Sequence, residues 1–148
     1  MSAGAPAQNP DNGRKLRLLL VDDENDITTV LKMGLEHQGF DVTTFNEPAE
    51  ALSKYSSGKY DLVLLDIRMP KISGFELYRK IREVDPKVRV CFLTAFEVYF
   101  DEFRRIFPKL HVRCFAKKPI SAADLRALIM EEMSSPHADS SSKSLRRL

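Results

Sequence analysis

Two apolar runs decide the fold of this chain, Leu16-Arg17-Leu18-Leu19-Leu20-Val21 and Leu62-Val63-Leu64-Leu65, and each stops abruptly at an acid. Asp22 and Asp23 follow the first run, and Asp66 follows the second. Such short runs are typical of parallel strands covered by helices on both faces, and ligands bind at the carboxyl ends of these strands. Three carboxylates at that edge repel one another unless a cation lies among them. The pattern predicts a hard divalent metal with oxygen ligands, and Mg2+ is the best match.

Outward from these runs, short apolar segments alternate with segments of helical period. Strands are predicted at 15–21, 40–45, 62–66, 88–94 and 111–115. Helices are predicted at 25–38, 48–55, 74–84, 97–107 and 122–133. Five such repeats predict a doubly wound α/β fold, and right-handed crossovers favour the flavodoxin-like five-stranded parallel sheet in the order 2-1-3-4-5, with five helices. Strands one and three are then neighbours, so the three acids meet.

Composition predicts one globular domain with unpatterned ends. The chain has 148 residues, of which 43% are hydrophobic and 30% charged, enough to bury a core unaided. We predict a disordered N-terminal tail over 1–13, a folded domain over 14–133 and a disordered, Ser-rich, basic tail over 134–148. The formal net charge of +2 is too small to indicate nucleic-acid binding.

The same survey predicts the compartment and the state of the cysteines. No apolar run approaches the ~20 residues that span a bilayer, and no secretory signal is visible, so we expect a soluble, cytoplasmic protein with no membrane partner. Cys91 and Cys114 lie in apolar, strand-like runs. We interpret both as buried small hydrophobes in a reducing compartment, not as a disulfide framework.

Two further polar residues end predicted strands at the same edge of the sheet. Thr94 closes the fourth strand, and Lys118 stands just before Pro119 after the fifth. Acids, a hydroxyl and an ammonium group together suit an anion bridged by a metal. The anion that best matches Mg2+, an amine and backbone N–H groups is a phosphoryl group.

These motifs, taken in order, resemble the receiver (CheY-like) domain of two-component response regulators over about residues 15–133. The matching stretches are Val21-Asp22-Asp23-Glu24, Leu65-Asp66-Ile67-Arg68-Met69-Pro70 with Gly74 following, Leu93-Thr94-Ala95, and Lys117-Lys118-Pro119-Ile120. Each is weak alone, but four in order at the right separations are specific. The family usually has a Gly-Ala pair before the fifth strand, where this chain has His111-Val112.

The resemblance implies a role for each matching residue. Asp66 would be the phosphoacceptor that attacks the phosphohistidine of a partner histidine kinase or phosphotransfer protein. Asp23, Asp66 and the backbone carbonyl of Arg68 would hold Mg2+, with Asp22 acting through water. Such a domain is a signalling module, not an enzyme acting on a separate substrate, although it promotes its own aspartyl phosphorylation and dephosphorylation.

The family pattern also implies how phosphate is held and sensed. Lys118 and the Thr94 hydroxyl would contact phosphoryl oxygens, and the backbone near Ala95 would complete the cradle. Phe115 matches the switch aromatic that follows the displaced hydroxyl of Thr94. A plain core role for Phe115, and a helix-capping role for the Asp22-Asp23 pair, stay open as alternatives.

We predict a stand-alone receiver that signals to a downstream target by protein–protein contact, without nucleic acid. The predicted helix at 97–107 is rich in aromatic residues, and the face formed by the fourth helix, fifth strand and fifth helix is a candidate for homodimer formation. The main alternative is a phosphorylation-independent pseudo-receiver that acts as a constitutive interaction module. An aspartyl phosphatase would need an acid where Arg68 stands, and a flavin carrier would need an uncharged loop after the first strand.

Overall fold

The computed structural model describes residues 13–95 and 114–136, together with positions 101, 104, 105 and 108. Five strands form one parallel sheet in the order β2-β1-β3-β4-β5. The strands are β1 (Arg17–Val21), β2 (Asp41–Phe45), β3 (Leu62–Asp66), β4 (Arg89–Thr94) and β5 (Phe115–Lys117). The fully bounded helices are α1 (Asn25–His37), α2 (Pro48–Ser53), α3 (Gly74–Val84) and α4 (Ala122–Met133). The predicted doubly wound fold and strand order are confirmed.

Helices cover both faces of the sheet, which explains the continuous apolar runs. Side chains of β1 and β3 alternate between two core clusters, so Leu64 packs with the cluster that contains Leu35 of α1 and Leu125 of α4. Leu65 packs in the second cluster, with Phe75 of α3. All five residues of β3 are buried. A strand that buries both faces has no polar position until it ends, and β3 ends at Asp66.

Local sequence signals set the beginnings of the helices. The hydroxyl oxygens of Ser73 and Ser121 accept hydrogen bonds from the backbone N–H groups of Glu76 at 3.1 Å and Asp124 at 3.0 Å. These are N-caps of α3 and α4, and an acid at the third helical position supports each one. Pro48 opens α2, where its missing N–H costs no hydrogen bond. The predicted bounds of β3 and α3 are confirmed at both ends.

The fifth strand ends two residues later than the sequence prediction of 111–115, of which residues 111–113 lie outside the described part of the chain. It runs over Phe115–Lys117, with Ala116 opposite Leu93 and Lys117 opposite Thr94. The charged side chain of Lys117 is exposed and made this position look like a loop, but its backbone pairs with β4. The strand therefore reaches the residue directly before Lys118.

Several predictions fall outside the described residues. Asp101, Arg104 and Arg105 are helical, while the remainder of the predicted helix at 97–107 and its aromatic stripe lie outside them. The tails fall largely outside as well, at 1–12 and 137–148. Within the parts of the chain described here, no helix combines the length and apolar character needed to cross a membrane.

The cysteines are a second correction. The structure joins Cys91 and Cys114 in a disulfide, whereas the sequence favoured two free thiols. Because Phe92 lies opposite Phe115 in the β4–β5 pair, the residues before them are also neighbours, and their Cα atoms are 4.6 Å apart. Both side chains are buried in the same core cluster, so they are hydrophobic residues of the core as predicted, but they are bonded to each other.

Candidate functional site

Three carboxylates meet at the carboxyl ends of β1 and β3. Carboxylate oxygens of Asp22, Asp23 and Asp66 all lie within 4.8 Å of one another. Val21 and Leu65 are paired in register, so the acids that follow β1 and the acid that ends β3 are carried to the same point. Asp22 is fully buried and Asp66 is 4% exposed, while Asp23 is exposed. The cluster is thus buried at Asp22 and Asp66 and open to solvent at Asp23.

Lys118 closes one side of this cluster. Its Nζ lies 2.9 Å from Asp22 Oδ2 and 3.4 Å from Asp66 Oδ1, and it also lies 3.4 Å from Glu24 Oε1. The backbone N–H of Lys118 donates to the Thr94 carbonyl at 2.7 Å, which extends the β4–β5 pairing by one residue. The peptide bond to Pro119 is cis. One ammonium group therefore bridges acids from two strands.

Backbone contacts hold Asp22 in place. Its Oδ1 accepts the N–H of Glu24 at 3.0 Å, and its carbonyl accepts the side-chain amide of Asn46 at 2.8 Å. The same amide donates to Thr28 Oγ1 at 2.9 Å, so Asn46 ties the end of β1 to α1. Asn46 was not singled out from the sequence. The available signal was its position directly after β2, the strand next to β1.

Gly74 lets α3 begin directly against the phosphoacceptor candidate. A Cβ atom at this position would lie 2.9 Å from the carbonyl carbon of Asp66 and 3.1 Å from Cα of Ile67. Real Cβ contacts are essentially never this close to backbone, so any side chain would displace Asp66. The Gly74 N–H also donates to the Ile67 carbonyl at 2.9 Å. The glycine in the quoted motif is needed for close packing.

The other predicted site residues follow the same strand ends. Thr94 is fully buried at the end of β4, one residue beyond Leu93, which is the register partner of Asp66. Ala95 and Arg68 are exposed in the loops that follow β4 and β3. Phe115 is partly buried, and its ring stacks on Phe92 with centroids 5.6 Å apart. These placements put Thr94 beside the acid cluster and Phe115 on the edge strand β5, next to β4.

The electrostatics of Asp66 and Lys118 reflect crowding of like charges. Burial and the neighbouring charge of Asp22 raise the pKa of Asp66 to about 6, although Lys118 acts against this rise. Burial also lowers the pKa of Lys118, but its hydrogen bond to Asp22 and the charges of Asp22 and Asp66 outweigh burial and raise it overall. The cluster carries more negative charge than one ammonium can balance.

The donor set fits Mg2+. Oxygen ligands from Asp22, Asp23 and Asp66 converge, and hard cations such as Mg2+ prefer carboxylate oxygens with some water retained. Burial and the charge of Asp22 raise the pKa of Asp66, so its ionised form is short of stabilising positive charge. A divalent cation held by Asp23 and Asp66 would supply it.

A groove lies next to the site. It has a volume of about 240 Å³ and lies between α1 and the loop after β5. Its lining residues are Asp26, Ile27, Val30, Leu31, Lys118, Pro119 and Ile120. On the same helix, Val30 is 68% exposed and Met33 is 67% exposed. This surface offers apolar contacts beside Lys118.

The chain belongs to the response regulator receiver domain family, whose family model matches residues 18–130. Among curated relatives, the Bacillus subtilis alkaline phosphatase synthesis transcriptional regulatory protein PhoP is 34% identical over 113 residues, covering 76% of this chain and 46% of PhoP. The chain spans half or less of the length of the first curated relatives it matches, from 35% to 50%.

Solved structures agree with this assignment. The Thermotoga maritima response regulator TrrA in complex with Mg2+–BeF is 33% identical with a TM-score of 0.67, and the match covers 78% of this chain and 97% of that one. A chain from the complex of histidine kinase ThkA with TrrA is 34% identical with a TM-score of 0.67, covering 81% and 99%. The receiver resemblance read from the motifs is confirmed.

Proposed function

We propose that this receiver accepts a phosphoryl group on Asp66 in a Mg2+-dependent reaction. The observation that carries the proposal is the convergence of three carboxylates within 4.8 Å, with Lys118 bridging two of them. A purely structural cluster would gain nothing from crowding acids around a buried carboxylate. A site that receives an anion with its own cation needs this arrangement.

Each site residue would have a separate role in the phosphoryl transfer. A carboxylate oxygen of Asp66 attacks phosphorus, the phosphorus–nitrogen bond of a phosphohistidine breaks, and the electron pair leaves with the imidazole. An acyl phosphate results, and the imidazole nitrogen is free to take a proton. Lys118 leaves its carboxylate partners to hold a phosphoryl oxygen, and the Thr94 hydroxyl and the Ala95 N–H donate to the others. No general base is needed, because the nucleophile reacts as its anion.

The metal ligands in this proposal are those that the family resemblance implies, and the convergence of the three carboxylates supports them. Asp23, Asp66 and the backbone carbonyl of Arg68 would hold Mg2+, with Asp22 acting through a bound water. When bound, the cation would offset repulsion between the carboxylates and the incoming phosphoryl oxygens. Thr94 and Phe115 would then transmit the change, since they lie on the adjacent strands β4 and β5, with Phe115 opposite Phe92, two residues before Thr94.

The phosphodonor in this proposal is a histidine kinase or phosphotransfer protein. Two features support it: TrrA, a relative, has been solved with a histidine kinase, and the apolar groove formed by Val30 and Pro119 borders Lys118. We expect Val30→Lys to slow transfer from a purified kinase that labels the wild type, while labelling by acetyl phosphate is unchanged. Val84→Lys is the matched control, because Val84 is 53% exposed on α3, away from the groove.

Output by protein–protein contact, a stand-alone role and self-association stay predictions. Several relatives that share this domain are named transcriptional regulators, so the expected absence of nucleic-acid partners has no support from the comparisons. One observation argues against the alternative of a phosphorylation-independent pseudo-receiver. The complete set of Asp22, Asp23, Asp66 and Lys118 is in place, and a passive module has no use for it.

One labelling experiment tests the proposal. The protein is incubated with Mg2+ and acetyl phosphate, and intact mass is expected to show one added phosphoryl group. Asp66→Asn should abolish the addition, and Asp23→Ala should reduce it at least about tenfold through lost metal. Asp41→Asn is the matched control, because Asp41 is an exposed acid at the opposite end of a strand. Labelling of Asp66→Asn, or normal labelling of wild type in a chelator, would overturn the assignment.

A further inference from the structure

The disulfide between Cys91 and Cys114 lies in the strand pair that carries the site. Cys91 is three residues before Thr94 on β4, and Cys114 is four residues before Lys118. The bond joins residues 23 apart in sequence. It therefore links the two strands whose ends supply the hydroxyl and the ammonium group.

The strand β5 is the element that such a bond affects most. It has three residues, lies at the edge of the sheet and pairs only with β4 among the described strands. The N–H of Phe92 donates to the Cys114 carbonyl at 2.9 Å, so backbone pairing with β4 includes the cysteine itself. A short edge strand opens more easily than a central one, and a covalent bond at its beginning opposes that opening.

Of the two cysteines, Cys114 is the one that lines a cavity. Cys91 is fully buried, and Cys114 is 4% exposed but lines a cavity of about 200 Å³. Among the described residues, Leu128, Glu131, Glu132 and Ser135 also line that cavity. The space admits small molecules, so exchange chemistry would begin at Cys114 and end at Cys91.

We propose that Cys91 and Cys114 form a reversible thiol–disulfide site, oxidised by a hydroperoxide and reduced by a small dithiol, that controls the mobility of β5. In oxidation, the Cys114 sulfur attacks the peroxide oxygen and the O–O bond breaks, giving a sulfenic acid and the alcohol of the hydroperoxide, or water when the oxidant is hydrogen peroxide. The Cys91 thiol then attacks the Cys114 sulfur, the S–O bond breaks, a water leaves and the S–S bond forms. Two electrons pass from the sulfurs to the peroxide.

Reduction reverses the bond by exchange. A thiolate of the dithiol attacks Cys114, and Cys91 leaves as a thiolate that takes a proton. The second thiol of the reductant then attacks the reductant's own sulfur in the mixed disulfide, Cys114 leaves as a thiolate that takes a proton, and the reductant is released as a cyclic disulfide. This inference rests on the proposed function only for its signalling consequence, which would pass through Thr94 and Lys118. The thiol–disulfide chemistry and the mobility of β5 do not depend on the proposed function.

Hydrogen–deuterium exchange of the full-length protein tests the inference. The reporter is the Lys118 amide, which donates to the Thr94 carbonyl. Protein treated with hydrogen peroxide should lose both alkylatable thiols and show Lys118 exchange about tenfold slower than protein treated with dithiothreitol. Its melting temperature should be about 5–15 °C higher, as expected for a cross-link that closes a loop of this size.

The matched control is Cys91→Ala, which keeps the thiol at the cavity but cannot form the cross-link. Its Lys118 exchange should be the same after either treatment. If peroxide-treated wild type keeps two alkylatable thiols, or if the two redox forms exchange alike at Lys118, the inference is wrong. Failure of acetyl phosphate to label either redox form would instead overturn the proposed function and leave the exchange result standing.

Discussion

At the scale of single residues, the site is organised around a deficit of positive charge. Asp66 lies against Asp22 and Asp23, and among the described residues Lys118 is the cation paired with Asp22 and Asp66. Burial and the Asp22 charge together raise the pKa of Asp66 to about 6. An acid with a raised folded-state pKa costs stability when it is ionised, so the unliganded protein is less stable above about pH 6 than it would be without this charge.

We therefore expect Asp66→Asn to stabilise the metal-free protein. At pH 8 in a chelator the gain should be about 1–2 kcal/mol, because the like-charge repulsion disappears and Lys118 keeps its partners Asp22 and Glu24. Urea unfolding measures it. Asp41→Asn serves as the control and should change stability little; a less stable Asp66→Asn protein would contradict the charge argument.

Gly74 gives a second prediction at this scale. Gly74→Ala should destabilise the protein by about 1–3 kcal/mol, because the new methyl group meets the backbone of Asp66 and Ile67. Labelling of Asp66 should also fall, since the carboxylate moves with its backbone. Glu83→Ala, an exposed change on the same helix, should leave both properties near wild type. Unaltered labelling of a folded Gly74→Ala protein would refute the close-packing account.

At the scale of elements, an ion-pair cluster ties the start of β1 to the start of β3. Asp61 accepts hydrogen bonds from Arg14 at 2.8 and 2.9 Å and from the backbone N–H of Arg17 at 2.8 Å. Burial pushes the pKa of Asp61 up, but these hydrogen bonds outweigh burial and lower it to about 2. The pair thus fixes the register of two strands at the end of the sheet away from the site.

This cluster predicts a pH dependence. Because the folded-state pKa of Asp61 is lowered, its stabilisation is present above about pH 4 and is lost as pH falls towards 2. We expect Asp61→Asn to cost about 1–2 kcal/mol at pH 7, a value reduced for the partial exposure of Arg14, and almost nothing at pH 2. Unfolding curves at both pH values check this. An equal cost at the two values would assign the effect to packing.

At the scale of the whole molecule, metal binding and folding are linked. A cation that binds the folded cluster and not the unfolded chain stabilises the protein in proportion to the logarithm of its concentration. Mg2+ should therefore raise the melting temperature of the wild type, with about 2.7 kcal/mol of added stability at a hundredfold excess over the dissociation constant. Asp23→Ala should lose most of this gain, and Asp41→Asn should keep it.

Much of the fold was predictable because its signals are strong and agree. The buried runs before Asp22 and Asp66, the N-cap at Ser121 and the right-handed crossovers all point to one topology. The placement of the acid cluster followed, since strand ends share an edge. Predictions failed where the signal was tertiary: Lys117 pairs through its backbone alone, and Cys114 meets Cys91 only through the register of β4 and β5.

The supporting contacts were also hidden from the sequence. Asn46 donates a hydrogen bond to the Asp22 carbonyl at the end of β1, and Arg14 donates to Asp61. Both bonds join residues far apart in the chain, and no local sequence pattern marks them. Composition and spacing show which groups can do chemistry. They do not show which neighbours keep those groups still.

The ion pair between Lys118 and Asp22 spans 96 residues of chain. Its two ends emerge from a ribosome at well-separated times, so a nascent chain that has already folded its first strands still lacks the ammonium group. We expect such an unfinished polypeptide to be unable to receive signals. Translation would thereby delay the proposed phosphoryl transfer until nearly the entire domain has been made.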